Sequence, residues 1–244
     1  MYNIKINKYL KQGSLALGLI LASLSFAGCG GSSSSSNTTV NKTFRVTYTN
    51  VSNNQPMSPL AVVVHKAGYQ LFQAGQAASL GLEKLAEGGS NAELLAEASQ
   101  HADYIASQVG TGIVPPSASE TIEIMTMGDT TDLKLSVTSM LVNTNDAFAG
   151  VSSGKIALLA KGERFAMHVP VWDAGTEANT EATGTLPGPA DGGEGFNASR
   201  TGDADFVAIH QGVVTNADGL STSVLNESHR FDNPVALISV ERLK

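Results

Sequence analysis

An antiparallel β-sandwich with a small helical insertion is the fold class that this 244-residue sequence predicts. Three observations carry the prediction. Segments that alternate apolar and polar residues recur from Phe44 to the C-terminus, separated by Gly, Pro, Asp and Ser clusters, the pattern of half-buried strands joined by turns. Helical spacing is confined to one region, from about Ala78 to Ile105. Cysteine occurs once, at Cys29, so no disulfide framework can substitute for a hydrophobic core.

Residues 1–28 read as an export signal. Lys5, Lys8 and Lys11 precede the apolar run Leu15–Gly28, which is too short for a membrane span. The run ends in Phe-Ala-Gly directly before Cys29 and resembles a bacterial lipobox, in which cleavage frees the cysteine for acylation. Residues 29–42, rich in Gly, Ser and Thr, form a flexible tether, and residues 43–244 a single domain. Loss of residues 1–28 removes three lysines and no acid, moving the formal charge from −7 to −10. An acidic domain is a poor partner for nucleic acid or an anionic bilayer, so the membrane is expected to be contacted through lipid alone. Gly30 stands where many inner-membrane lipoproteins of Gram-negative cells carry Asp. The expected location is therefore the cell envelope, at the outer membrane or cell surface.

The elements follow in order. Phe44, Val46 and Tyr48 share one face of a first strand, and Leu60–Ala67 is a more continuous apolar run between Pro59 and Gly68. Leu80, Leu82 and Leu85 define a short helix stopped by Gly88 and Gly89. Ser90 and Glu93 predict a capping box for a second helix through Leu94–Ile105, with helical structure ended by Gly110 and Pro115-Pro116. Thr121–Met127 and Leu133–Leu141 alternate as strands. Gly154–Ala160 and Arg164–Trp172 flank Lys161–Glu163 as a hairpin turn, and Phe206–Val214 and Pro234–Leu243 supply the last strands. Between them runs a polar, Gly-rich excursion, Asp173–Asp205, expected to be a functional or mobile loop.

One geometric consequence bears on function. If Lys155–Ala160 and Phe165–Val171 are arms of one hairpin, their outer ends share one end of a sheet. Asp146, Asp173 and Glu177 then gather at one rim, with Glu163 at the other end. Clustered carboxylates raise one another's pKa unless a cation neutralises them. Gly175 permits a tight turn, Thr176 and nearby carbonyls add oxygens, and Trp172 is expected to pack beneath the loop. Such an all-oxygen set suits Ca2+ better than Zn2+ or Mg2+. On pattern alone, a solvated acidic loop with Trp172 as core filler is an equal alternative.

The block Trp-Asp-Ala-Gly-Thr-Glu at 172–177, preceded by Asn-Asp-Ala-Phe-Ala-Gly-Val at 145–151, resembles the spondin domain, the N-terminal module of the F-spondin and mindin family. Ser58–Gly89 and Asn233–Leu243 are similar to further segments of that domain, so the resemblance spans about Phe44 to Leu243. It implies a C2-like β-sandwich that binds calcium at one end and serves extracellular adhesion and recognition. By position, the implied metal ligands are Asp146, Asp173 and Glu177, on a loop shaped by Trp172 and Gly175. Two departures stand out: Glu177 replaces the usual Asp, and Asn143-Thr144-Asn145 stands where animal members have Ser-Pro. The implied protein is a surface-anchored, calcium-binding recognition or adhesion lipoprotein whose ligand is an extracellular protein or glycan.

Two other classes compete. A hydrolase would draw on His65, His101, His168, His210 or His229 with Ser58, Ser152 or Ser153, or on paired carboxylates. The sequence has no Gly-x-Ser-x-Gly elbow, no His-Glu-x-x-His and no paired His at metal spacing, so binding without catalysis is expected. A purely structural envelope lipoprotein is disfavoured by the lack of a recognisable peptidoglycan-binding signature.

Overall fold

Two antiparallel sheets face each other in the computed structural model, which describes residues 41–202 and 204–244. The export signal, Cys29 and most of the tether lie outside the described residues. The four-stranded sheet has the order β4 (Ser119–Thr126), β1 (Lys42–Asn50), β10 (Ala236–Arg242), β7 (Arg164–Val169). The six-stranded sheet has the order β3 (Tyr104–Val109), β2 (Ala61–His65), β5 (Lys134–Met140), β6 (Ala147–Lys155), β8 (Val171–Asp173), β9 (Ala208–Ile209). Helices α1 (Leu80–Gly88) and α2 (Ala92–Gln100) form the small insertion.

The two sheets differ in what covers them, and the sequence patterns follow. In β1 the predicted alternation holds: Phe44, Val46 and Tyr48 are fully buried between the sheets, and their neighbours face outward. Arg45 lies on that outer face between Glu123 at 3.0 Å and Glu241 at 3.2 Å, exposed pairs that add little stability. By contrast β2 is buried along its whole length, because the six-stranded sheet is covered on both faces. Val62 and Val64 join the core between the sheets, while Ala61 and Val63 pack with Leu82, Leu85 and Leu94 of the helices. Doubly covered strands read as continuous apolar runs.

The helices begin and end for identifiable reasons. The Ser79 side chain accepts the Leu82 N–H at 3.2 Å, and Gly89 closes α1 in the left-handed region with φ +70°. The capping box expected from Ser90 and Glu93 does not form. Asn91 is the N-cap residue of α2, its side chain donates to the Pro59 carbonyl, and Glu93 pairs instead with Lys84 at 3.2 Å. Nor does α2 continue to Ile105. Tyr104–Val109 is strand β3, which pairs along β2 with Ala61 opposite Val109. An open sheet edge and residues suited to strands outweigh helical spacing here.

The hairpin predicted across Lys161–Glu163 is also corrected. Strand β6 lies earlier, at Ala147–Lys155, and Ile156–Gly162 carries the chain across to the other sheet, where β7 pairs with β10. Ile156 and Leu159 are buried in that crossing and close the end of the core, whereas Leu158 is 92% exposed. The chain returns at Pro170, which has no N–H for a ladder, and β8 rejoins the six-stranded sheet beside β6.

Phe148 is fully buried against Phe72, at 4.9 Å between ring centroids, where β6 meets the helical layer. Phe148→Ala is expected to destabilise the fold by about 3–5 kcal/mol. Leu158→Ala should change stability by no more than about 0.5 kcal/mol. Equilibrium urea unfolding of the two variants checks both.

Candidate functional site

Asp146 and Asp173 are brought together by β6 and β8, not by a β6–β7 hairpin. Ala147 pairs with Asp173, and the Ala174 N–H donates to the Asp146 carbonyl at 3.2 Å. Asp146 ends the chain's approach to β6 and is fully buried. Its Oδ2 accepts the N–H groups of Thr176 at 2.8 Å and Glu177 at 3.1 Å. Its Oδ1 is buried without a hydrogen-bond partner. Burial first, and the neighbouring Asp173 charge second, push the Asp146 carboxyl up to about 7.

The loop after β8 has the tight turn that Gly175 suggested. Asp173 Oδ1 accepts the Gly175 N–H at 2.8 Å, a side chain bonding to the backbone two residues on. Gly175 has φ +73°, and a Cβ there would fall 2.5 Å from the Phe206 carbonyl oxygen. Both the dihedral and the close approach require glycine. Trp172 is half-buried, donates from Nε1 to the Gly150 carbonyl at 2.9 Å and packs on Phe72. It therefore fixes β8 against the helical side of the sheet.

Glu177 takes a different direction. Its backbone N–H faces Asp146, but its carboxylate Oε1 accepts from Asn145 Nδ2 at 2.8 Å and lies 3.0 Å from Arg200 Nε. Its Oε2 is buried and unpartnered. Burial raises Glu177 to about 7, although Asn145 and Arg200 pull the other way. Glu87, at the end of α1, is also buried, accepts the Asn197 N–H at 3.2 Å and leaves Oε1 without a partner. Among the described residues, no three His, Cys, Asp or Glu side chains converge at metal-binding spacing.

The excursion from Asp173 to Asp205 has little regular structure but is stitched to the sandwich. Asn143 accepts the Ala190 N–H, Asn145 accepts the Glu181 N–H, and buried Glu181 binds the Val214 N–H at 2.7 Å and Ser223 Oγ at 3.2 Å. Asp191 gathers the Gly184 and Leu186 N–H groups. A cavity of about 390 Å3 opens beside Asp173, within the size range of ligand sites. Phe206, Ile209 and Val214 form its apolar, solvent-exposed wall. His210 Nδ1 accepts the Gly212 N–H at 3.0 Å, which leaves Nε2 to donate to Asn179, whose amide in turn donates to Asp173 at 2.6 Å.

The structure thus brings Asp146 and Asp173 together beside the Gly175 turn and the Trp172 indole and turns the Glu177 carboxylate toward Asn145 and Arg200. Asn145, Asn179, Arg200 and Glu87 join these acids without having been singled out in the sequence. Arg200 did leave a signal: it is the only Lys or Arg between Asp173 and Asp205, a stretch dense in acids.

Fold and loops define a β-sandwich module with buried acids at one end. Compared with known protein families, the chain matches Spondin_N over residues 36–186, which takes in β1 to β8 and the start of the excursion. The chain belongs to the spondin N-terminal domain family, and that membership gives it an extracellular recognition or adhesion role. No curated protein matches it. Among the described residues no helix is long and apolar enough to cross a membrane. Asp146 Oδ1 and Glu177 Oε2 are buried carboxylate oxygens without partners, the hard ligands that Ca2+ takes.

Gly175→Ala should cost at least about 1–2 kcal/mol from the left-handed dihedral alone, read as a lower urea midpoint with an unchanged slope. The pH dependence follows from the raised carboxyls. A carboxyl with a higher pKa folded than unfolded binds a proton on folding. Its stabilisation is complete below the unfolded value, about 4, and is lost as pH rises from there through the folded value of about 7. Glu87 and Glu181, also raised by burial, act in the same direction. In chelator, the melting temperature is expected to fall between about pH 4 and about pH 7, with a shallower fall in Asp146→Asn.

Proposed function

We propose that this chain is a lipid-anchored, calcium-binding recognition or adhesion module of the cell envelope. The observation that carries the reading is Asp146: a fully buried carboxylate beside Asp173, with one oxygen unpartnered and no cation paired to either acid among the described residues. Burying a charge this way is costly unless a counterion offsets it.

A bound Ca2+ supplies that positive charge. Asp146 Oδ1 and the Asp173 carboxylate would hold it, with Glu177 as the third ligand. The loop backbone meanwhile keeps Asp146 Oδ2 engaged through Thr176 and Glu177. The cavity beside Asp173 offers an apolar wall and the polar groups of Asn179 and His210 to an extracellular protein or glycan ligand. Cys29 and the polar segment after it support attachment by acyl chains.

Binding without catalysis is supported by the state of the candidate nucleophiles. Ser58 Oγ is bonded to the Met140 N–H, and Ser152 Oγ to the Leu71 N–H. Among the described residues the one close Ser–His contact, Ser136 to His65 at 2.8 Å, is buried, and His65 Nδ1 is satisfied by the Lys66 carbonyl.

Calorimetric titration of calcium into the chain lacking residues 1–28 tests the reading. Saturable binding is expected, weakened at least about 10–100-fold in Asp146→Asn and Asp173→Asn, the cost of disturbing even the supports of a metal ligand. Equal affinity in all three proteins would overturn the assignment.

A further inference from the structure

We infer that Arg200 is an internal cation that holds Glu177 until a divalent ion displaces it, so that Arg200 sets cation affinity and ties site occupancy to the Glu194–Arg200 segment. The inference rests on the calcium reading and adds to it a competitor supplied by the chain itself.

In the Arg200–Glu177 pair the glutamate is buried and the arginine half-buried, with side chains 3% and 18% exposed. Nε lies 3.0 Å from Glu177 Oε1, yet its N–H has no well-aimed acceptor. The contact is thus Coulombic rather than directional, and a pair of that kind with a buried carboxylate gains little once desolvation is counted. Only one carboxylate oxygen is reached; Glu177 Oε2 and Asp146 Oδ1 both stay unpartnered. A doubly charged ion bound by those oxygens would satisfy more of the buried charge than the guanidinium does.

The same guanidinium is fastened elsewhere. Nη2 donates to the Gly195 carbonyl and, at 3.4 Å, to that of Glu194. The segment it holds lies against α1, where the Asn197 N–H meets Glu87. Just beyond Arg200, the Thr201 carbonyl accepts the Ala178 N–H at 3.1 Å, and Gly202 lies so close to Gly175 that a Cβ would fall 1.8 Å from its carbonyl oxygen. The strand of loop bearing Arg200 is therefore packed on the turn bearing Glu177, and release of one is felt by the other. The departure at position 177 fits this arrangement, since glutamate reaches one methylene farther than aspartate.

The experiment uses the full chain in detergent and measures calcium affinity by calorimetry for the wild type, Arg200→Gln, Glu177→Gln and the double variant. Arg200→Gln is expected to bind calcium more tightly by on the order of tenfold, a usual size for coupling between sites. That gain should vanish in the Glu177→Gln background. Arg200→Lys, which keeps the charge, serves if the glutamine variant does not fold, and should bind no more weakly than wild type. In the wild type, calcium should also speed amide hydrogen exchange across Gly195–Arg200. If wild type and Arg200→Gln bind calcium equally, or the variant binds more weakly, the inference falls while the site reading stands. If no variant with Asp146 and Asp173 intact binds calcium, both fall.

Discussion

The burial of the Asp146 carboxylate at the end of the six-stranded sheet is the constraint on which the loop end depends. Sheet pairing leaves it no choice: Ala147 is held opposite Asp173, so the residue before it meets the turn that leaves β8. Two backbone N–H groups of that turn satisfy one carboxylate oxygen, and the other is left without a partner. The turn can present those N–H groups only because Gly175 takes a left-handed dihedral against the Phe206 backbone. Charge, turn and sheet register thus form one unit.

Rigidity for this unit comes from the double covering of the six-stranded sheet. One face packs on the other sheet, and the second on α1 and α2 through Phe72, Phe148 and Leu82. Trp172 belongs to that second layer, one residue before Asp173, so the strand delivering the acid is pinned by an indole and its hydrogen bond to Gly150. Sites held on strands in this way keep their geometry better than sites on free loops.

Much of this was legible in the sequence, for physical reasons that differ by residue. The alternation of Phe44, Val46 and Tyr48 reported a sheet with one face in solvent, and the glycine pair at 88–89 reported a helix end. The convergence of Asp146 and Asp173 was anticipated by the wrong route. A turn at Lys161–Glu163 reads the same whether it joins two strands of one sheet or carries the chain between sheets, and local pattern does not separate those cases. Strand β3 was hidden because Tyr104–Val109 follows a helix without a breaking residue, and its partner β2 lies about forty residues earlier. The excursion's order was hidden as well. Its apolar content is small, and it is held by Asn143, Asn145, Glu181 and Asp191, whose bonds to backbone leave no periodic trace. The Asn-Thr-Asn departure before Asp146 thus gains a role, since both asparagines bind the excursion.

If the end loops are organised around a carboxylate that awaits a cation, its ionisation should report the fact directly. The measurement is the carboxyl 13C chemical shift of Asp146, followed against pH with chelator and then with saturating calcium. A midpoint near 7 is expected in chelator, and a carboxylate that stays ionised well below that pH once calcium is added. A midpoint in the ordinary aspartate range, about 4, and indifferent to calcium, would contradict it.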